Sequence, residues 1–388
     1  MRKIRVLVVD DAVVVRRLVT DVLSADPEIE VAGIAANGRI ALQKIAQLAP
    51  DIVTLDIEMP EMDGLETIAE IRKTWTKLPV IMFSTLTERG ARATMDALAL
   101  GATDYVTKPA NVGSVTVAQQ RVRDDLIPRI KSLCAHVLPS AVPSVSAATK
   151  TIPASAPAPR TTVSTVTSGP RAPVAILAIG SSTGGPNALA EIIPKLPADL
   201  PVPVVITQHM PPVFTKFLAD RLMATSQVKV YEASEGMAIT PGCVYIAPGD
   251  HHLVLKKTGT KVVATLSKEP PENSCRPAVD VMLRSVVACY DRRVLAVILT
   301  GMGQDGLRGC EAVHEAGGRI LAQDEATSVV WGMPGFVARA GIAEAVVPLK
   351  DVVPAILDRL PSVAARGVPL MAPRVETSPA TAPGAVWR

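Results

Sequence analysis

Short apolar runs closed by acidic or turn-forming residues recur along the chain, and between them apolar positions repeat at helical spacing. In the first part the runs are IRVLVV, DIVTL, PVIMFS and DYVTK, and the helical pattern is clearest at Val15, Leu18, Val19, Val22 and Leu23. Runs that are apolar almost throughout suit strands buried on both faces, while i, i+3, i+4, i+7 spacing suits helices laid against them. Their alternation predicts a parallel sheet with helices on both sides. Further along, VAILAIG, PVVITQ, CVYIAP, VLAVILT and GRILAQ alternate with helical segments near 187–196, 213–225, 277–289 and 306–316. The stretch HLVLKKTGTKVVATL reads as an antiparallel hairpin added to this second set. The expected fold class is therefore α/β, with two doubly wound parallel-sheet domains and no fixed-period repeat.

Between the two sets the pattern stops. Residues 136–173 turn rich in Pro, Ser, Ala and Thr, and 361–388 do so again, which predicts a flexible linker and a disordered tail flanking units at about 1–135 and 174–360. Only 3% of residues are aromatic against 48% hydrophobic, so the cores must be built from aliphatic side chains. A net charge of +3 from 40 basic and 37 acidic residues leaves no footprint for nucleic acid. Cys134, Cys243, Cys275, Cys289 and Cys310 form no Cys-x-x-Cys pair, and an odd number of thiols suits a reducing compartment, the cytoplasm. The N-terminal apolar run is short and ends in two aspartates, unlike a signal peptide, and no segment is expected to enter a membrane.

Ligands of open parallel sheets collect at the carboxyl ends of the strands. Asp10 and Asp11 follow IRVLVV and Asp56 closes the run beginning DIVTL, so three carboxylates should meet at one edge. Oxygen-only ligands of this kind favour Mg²⁺. Ser84 ends PVIMFS and Lys108 ends DYVTK, placing a hydroxyl and an ammonium where they could hold phosphoryl oxygens on Asp56. Whether the bond before Pro109 is cis is open at this point. Asp10-Asp11, Asp56 within LDIEMPEMDG, Ser84 and Lys108-Pro109 resemble the receiver domains of two-component response regulators, which are flavodoxin-like. The resemblance implies Asp56 as phosphoacceptor, Asp10, Asp11 and Asp56 as the Mg²⁺ site, and Ser84, Tyr105 and Lys108 as switch residues.

In the second unit VAILAIG runs into GSSTGGP and then a helical pattern. A hydroxyl at such a turn lies near unpaired helix N-terminal amides, which favour developing negative charge. GxGxxG, P-loop and GxSxG spacings are all missing, which weakens nucleotide-binding and lipase-type readings. His209 follows PVVITQ and Asp305 lies in the loop after VLAVILT, so a nucleophile, a base and an orienting carboxylate can share one sheet edge. Spacing alone leaves Ser181 and Ser182 equivalent.

GSSTGGP, QHMPP, CRPAVDVMLRSV from Cys275 and LTGMGQDG together resemble the catalytic domain of chemotaxis protein-glutamate methylesterases. The resemblance implies Ser182 as nucleophile with His209 and Asp305, Thr183 beside it, and the Met302 amide in an oxyanion hole. It implies removal of methyl esters from chemoreceptor glutamates, deamidation of receptor glutamines, no cofactor for the esterase chemistry, phosphate from a chemotaxis histidine kinase, and a monomer. One departure is Cys275, where the family more often has histidine. The competing reading is a non-enzymatic response regulator whose second domain binds protein or DNA.

Overall fold

The structure, a computed structural model, describes residues 2–109, 114–138 and 172–361. The expected linker and tail lie almost wholly outside the described residues. The first unit contains β1 (Ile4–Val9), α1 (Val13–Ser24), β2 (Ile29–Ala35), α2 (Gly38–Leu48), β3 (Ile52–Asp56), α3 (Gly64–Thr74), β4 (Val80–Ser84), α4 (Glu88–Ala99), β5 (Asp104–Thr107) and α5 (Val115–Leu133). All strand pairs are parallel in the order β2-β1-β3-β4-β5. β1, β3 and β4 are buried almost throughout because helices cover both faces, which is why they read as continuous apolar runs. β2, an edge strand, is mostly half-buried and carries no such run. Register pairs Asp56 with Phe83 and Ser84 with Thr107, so the strands end level on one edge.

The second unit contains β6 (Ile176–Ser181), α6 (Gly185–Ile192), β7 (Val204–Gln208), α7 (Phe214–Thr225), β8 (Lys229–Glu232), β9 (Cys243–Ile246), β10 (His252–Thr258), β11 (Lys261–Ser267), α8 (Val279–Tyr290), β12 (Val294–Ile298), α9 (Leu307–Glu315), β13 (Arg319–Gln323), α10 (Met333–Arg339), β14 (Ala345–Val347) and α11 (Leu349–Leu357). Its parallel sheet runs β14-β13-β12-β6-β7-β9-β8, with β10 and β11 as a separate antiparallel hairpin. The two edge strands, β8 and β14, are short and partly exposed, and the apolar pattern does not mark them. Among the described residues the cis peptide precedes Pro277, not Pro109.

The units pack face to face. The Tyr105 ring of β5 stacks on Phe214 of α7, centroids 5.0 Å apart and planes 8° from parallel, and one face of each core joins there in a shared apolar cluster. Around it, the Arg92 guanidinium lies 5.2 Å over the Phe217 ring, Arg221 donates to Met95 O at 2.7 Å, and Asn187 donates to Ala102 O at 3.0 Å.

Candidate active site and phosphoacceptor site

At the edge of the first sheet Asp10 and Asp56 are buried and Asp11 is exposed, and one carboxylate oxygen from each lies within 4.8 Å of the others. Lys108 Nζ sits 2.8 Å from both Asp10 Oδ2 and Asp56 Oδ1. No hydrogen bond of good geometry reaches the buried Asp10 Oδ2. Burial, and secondarily the Asp10 charge, push the Asp56 carboxyl up to about 6 despite Lys108. Three clustered carboxylates, two of them buried, whose charge one lysine does not balance fit a hard divalent cation. Ser84 does not turn toward this cluster: its hydroxyl donates to Gly90 O in α4 at 3.1 Å. Tyr105 is buried under Phe214.

In the second unit the strand ends meet because β6 lies between β7 and β12, pairing Ser181 with Gln208 and Gly180 with Ile298. Ser181 is fully buried and its hydroxyl donates to Gln208 Oε1 at 2.7 Å. Ser182, one residue on, is partly exposed, with its amide bonded to Thr300 O at 3.0 Å and its carbonyl accepting from Gly185 N and Gln208 Nε2. Two glycines make this approach possible. A Cβ on Gly185 would stand 2.0 Å from Gln208 Oε1, and one on Gly301 would stand 2.9 Å from Ser182 Cβ. The Met302 amide makes no hydrogen bond within the described residues. Thr183 is buried, its carbonyl accepts from the Thr300 hydroxyl, and its side chain lies beside Asp104 of the first unit.

His209 Nε2 lies 2.7 Å from Asp305 Oδ2. Asp305 is 2% exposed and fully engaged: Oδ2 also accepts from Val279 N at 2.7 Å, and Oδ1 accepts from Asp280 N at 3.0 Å and Asn273 Nδ2 at 3.1 Å. Those two amides open α8, so the carboxylate caps a helix it does not belong to. Asp280 returns the arrangement, accepting from Gly306 N and Gly309 N at the start of α9 and from Asn273. Asp280 and Asn273 thus fix the Asp305 loop, a role that the strand-end pattern does not signal.

His209 Nδ1 faces the Cys275 sulfur at 3.5 Å, and no hydrogen bond joins it to Ser182 among the described residues. Burial alone would lower the imidazole, but Asp305 and then Cys275 outweigh it and hold His209 well above its ordinary value of 6.5. Burial would likewise raise Asp305, yet His209 and the α8 amides hold it below the usual carboxylate range. A raised basic group contributes stability that is fully present below its unfolded value near 6.5 and is lost as pH rises through the folded value. The free base follows the opposite course, so any turnover that needs unprotonated His209 is expected to climb steadily between pH 7 and 9. A kcat/KM profile measured across that range checks this; a plateau reached at pH 7 contradicts it.

Residues 177–356 match the CheB methylesterase family model and 6–119 match the response regulator receiver domain. The chain is 55% identical over 362 residues to a protein-glutamate methylesterase/protein-glutamine glutaminase of Nocardioides sp. (strain ATCC BAA-499 / JS614), covering 93% of this chain and 96% of the relative. It is 49% identical over 367 residues to the protein of the same name from Trichodesmium erythraeum, covering 93% and 100%. Among solved structures it is similar to the Thermotoga maritima CheB methylesterase catalytic domain, at 48% identity and a TM-score of 0.47, covering 48% of this chain and 98% of that one. Among the described residues no helix is long and apolar enough to cross a membrane.

Proposed function

Since the chain belongs to the receiver-linked protein-glutamate methylesterase/protein-glutamine glutaminase family, we propose that Ser182, His209 and Asp305 carry its hydrolysis and that phosphorylation of Asp56 controls it. The single observation behind this reading is the buried His209–Asp305 pair at the same sheet edge as the open Ser182 turn, with the receiver unit packed beside it. Ser182 Oγ attacks the carbonyl of a glutamate methyl ester and its proton passes to His209 Nδ1, the nitrogen that Asp305 leaves free. The Met302 amide and the start of α6 favour the charge that develops on the carbonyl oxygen. Methanol leaves with the proton from His209; water then opens the acyl-serine by the reverse transfers and yields glutamate. With a glutamine side chain the leaving group is ammonia.

The substrate is the methylated cytoplasmic part of a chemoreceptor, the phosphodonor is the chemotaxis histidine kinase, and the protein works in the cytoplasm as a monomer. The receiver occupies 1–135 and the catalytic domain 174–360, with 136–173 as linker and 361–388 as tail. Asp10, Asp11 and Asp56 would hold Mg²⁺, which supplies positive charge for phosphoryl transfer when bound. Purified chain should release methanol from receptor membranes carrying labelled methyl groups. Absence of release, with tight binding to DNA or protein instead, would return the reading to a non-enzymatic regulator.

Control follows from the dock. A cleft of about 370 Å³ reaches His209 between the units and is lined also by Tyr105, Arg129 and Arg276. Thr183, next to Ser182, lies beside Asp104, and Val330 packs against the receiver core, so the unphosphorylated receiver obstructs the path to Ser182. Phosphorylation adds a charge of about −1.5 to −2 at Asp56. Lys108 and Ser84 regroup around it, Ser84 gives up Gly90 O, and the α4–β5 face that carries Tyr105 loosens from α7. Moving such an equilibrium from mostly closed to mostly open takes roughly 5 kcal/mol. Phe214→Ala removes the stacked partner of Tyr105 and should raise the unstimulated rate about tenfold, since a buried aromatic pair contributes about 0.5–1.5 kcal/mol beyond its buried area. Methanol release by the unphosphorylated variant checks this; a rate at or below wild type counts against the dock as the brake.

A further inference from the structure

His209 has two nitrogens and three claimants. Asp305 takes Nε2, so a proton from Ser182 can go only to Nδ1, and Cys275 Sγ is the group found there, at 3.5 Å. The contact is built rather than incidental. Glu272 to Cys275 form a tight turn closed by Glu272 N to Cys275 O at 3.1 Å and Cys275 N to Glu272 O at 2.9 Å. Its central residues, Asn273 and Ser274, have φ of 51° and 61°, the left-handed pair of a type I′ turn. One end is held by the Arg284 guanidinium on Glu272, and the other by Arg276 on Asp250. The same turn puts Asn273 on Asp305, so it grips both ends of the His–Asp pair.

Cys275 differs from the other thiols in what surrounds it. Cys134, Cys289 and Cys310 are buried, and burial pushes each thiol up. Cys243 is partly buried and has the Thr240 hydroxyl as its neighbour. Cys275 is partly exposed and touches an imidazole that a buried carboxylate holds in place, the arrangement in which a base removes a thiol proton.

We propose that Cys275 is a reactive thiol sharing its base with the esterase, so that hydroperoxides oxidise it and soft electrophiles alkylate it, and either modification silences hydrolysis by occupying His209 Nδ1. In the oxidation His209 takes the thiol proton and the sulfur attacks one peroxide oxygen. The O–O bond breaks, a sulfenic acid forms, and hydroxide leaves to recover the proton from His209 as water. Sulfur is oxidised by two electrons and the peroxide is reduced by two. A thiol reductant reverses the change through a mixed disulfide.

This rests on His209 as the esterase base, and the test separates the two claims. Full-length protein is treated with limiting iodoacetamide at neutral pH and the five cysteines are followed by peptide mass spectrometry, which needs no turnover. Cys275 is expected to label at least tenfold faster than Cys243, and more slowly in His209→Ala. In parallel, hydrogen peroxide should abolish methanol release by wild type, dithiothreitol should restore it, and Cys275→Ser should keep its own untreated rate after peroxide. Labelling of Cys275 no faster than of Cys243, or equal peroxide loss in Cys275→Ser and wild type, overturns the proposal. An untreated enzyme that releases no methanol defeats the esterase reading instead, and the labelling rates still decide whether Cys275 is activated.

Discussion

Ser182→Ala is expected to lower methanol release by on the order of 10⁴-fold or more, while Ser181→Ala keeps the activity but loses stability. The neighbouring hydroxyls have different employment. Ser181 is fully buried and donates to Gln208 Oε1, whose amide nitrogen in turn holds the Ser182 carbonyl. Removing it strands a buried acceptor, at a cost of about 1–3 kcal/mol readable in a denaturant titration. Ser182 Oγ has no such duty, and its loss leaves the turn intact but removes the proposed nucleophile. The reverse outcome, full activity in Ser182→Ala and none in a folded Ser181→Ala, would move the nucleophile by one residue.

Asp305→Asn should cost about 10³–10⁴-fold in kcat with a much smaller change in KM. The carboxylate accepts from His209 Nε2, so it fixes the tautomer whose free nitrogen is Nδ1; an amide can present a donor there and select the wrong tautomer. Asp305 also accepts from Val279 N, Asp280 N and Asn273, and Asn cannot satisfy all of these in one orientation. The variant should therefore also unfold at lower denaturant, and comparing kcat in the folded range separates the two effects. A kcat within tenfold of wild type would remove Asp305 from the account.

The parts of both sites legible in the sequence are those at strand ends. Asp10, Asp56, Ser84, Lys108 and His209 stand where buried apolar runs stop, and parallel register brings such stops to one edge. Edge strands β2, β8 and β14 escaped that pattern because they are short or partly solvated. The choice between Ser181 and Ser182 depends on which hydroxyl Gln208 engages across β6 and β7, a matter of register to which spacing is blind. Asn273, Cys275 and Asp280 reach the site from a left-handed turn and from a helix start, far in sequence from the residues they hold. The packing of Tyr105 on Phe214 belongs to two units whose separate patterns carry no information about each other.

Under the proposed function a phosphorylatable carboxylate controls a serine esterase in the same chain. The most direct test of that control is methanol release from methylated receptor membranes by wild type and Asp56→Asn, each with and without Mg²⁺ and a small phosphodonor. A rise of at least tenfold is expected in wild type with both present, and none in Asp56→Asn. Equal rates in wild type with and without the phosphodonor, once phosphorylation of Asp56 is verified by mass spectrometry, would contradict it.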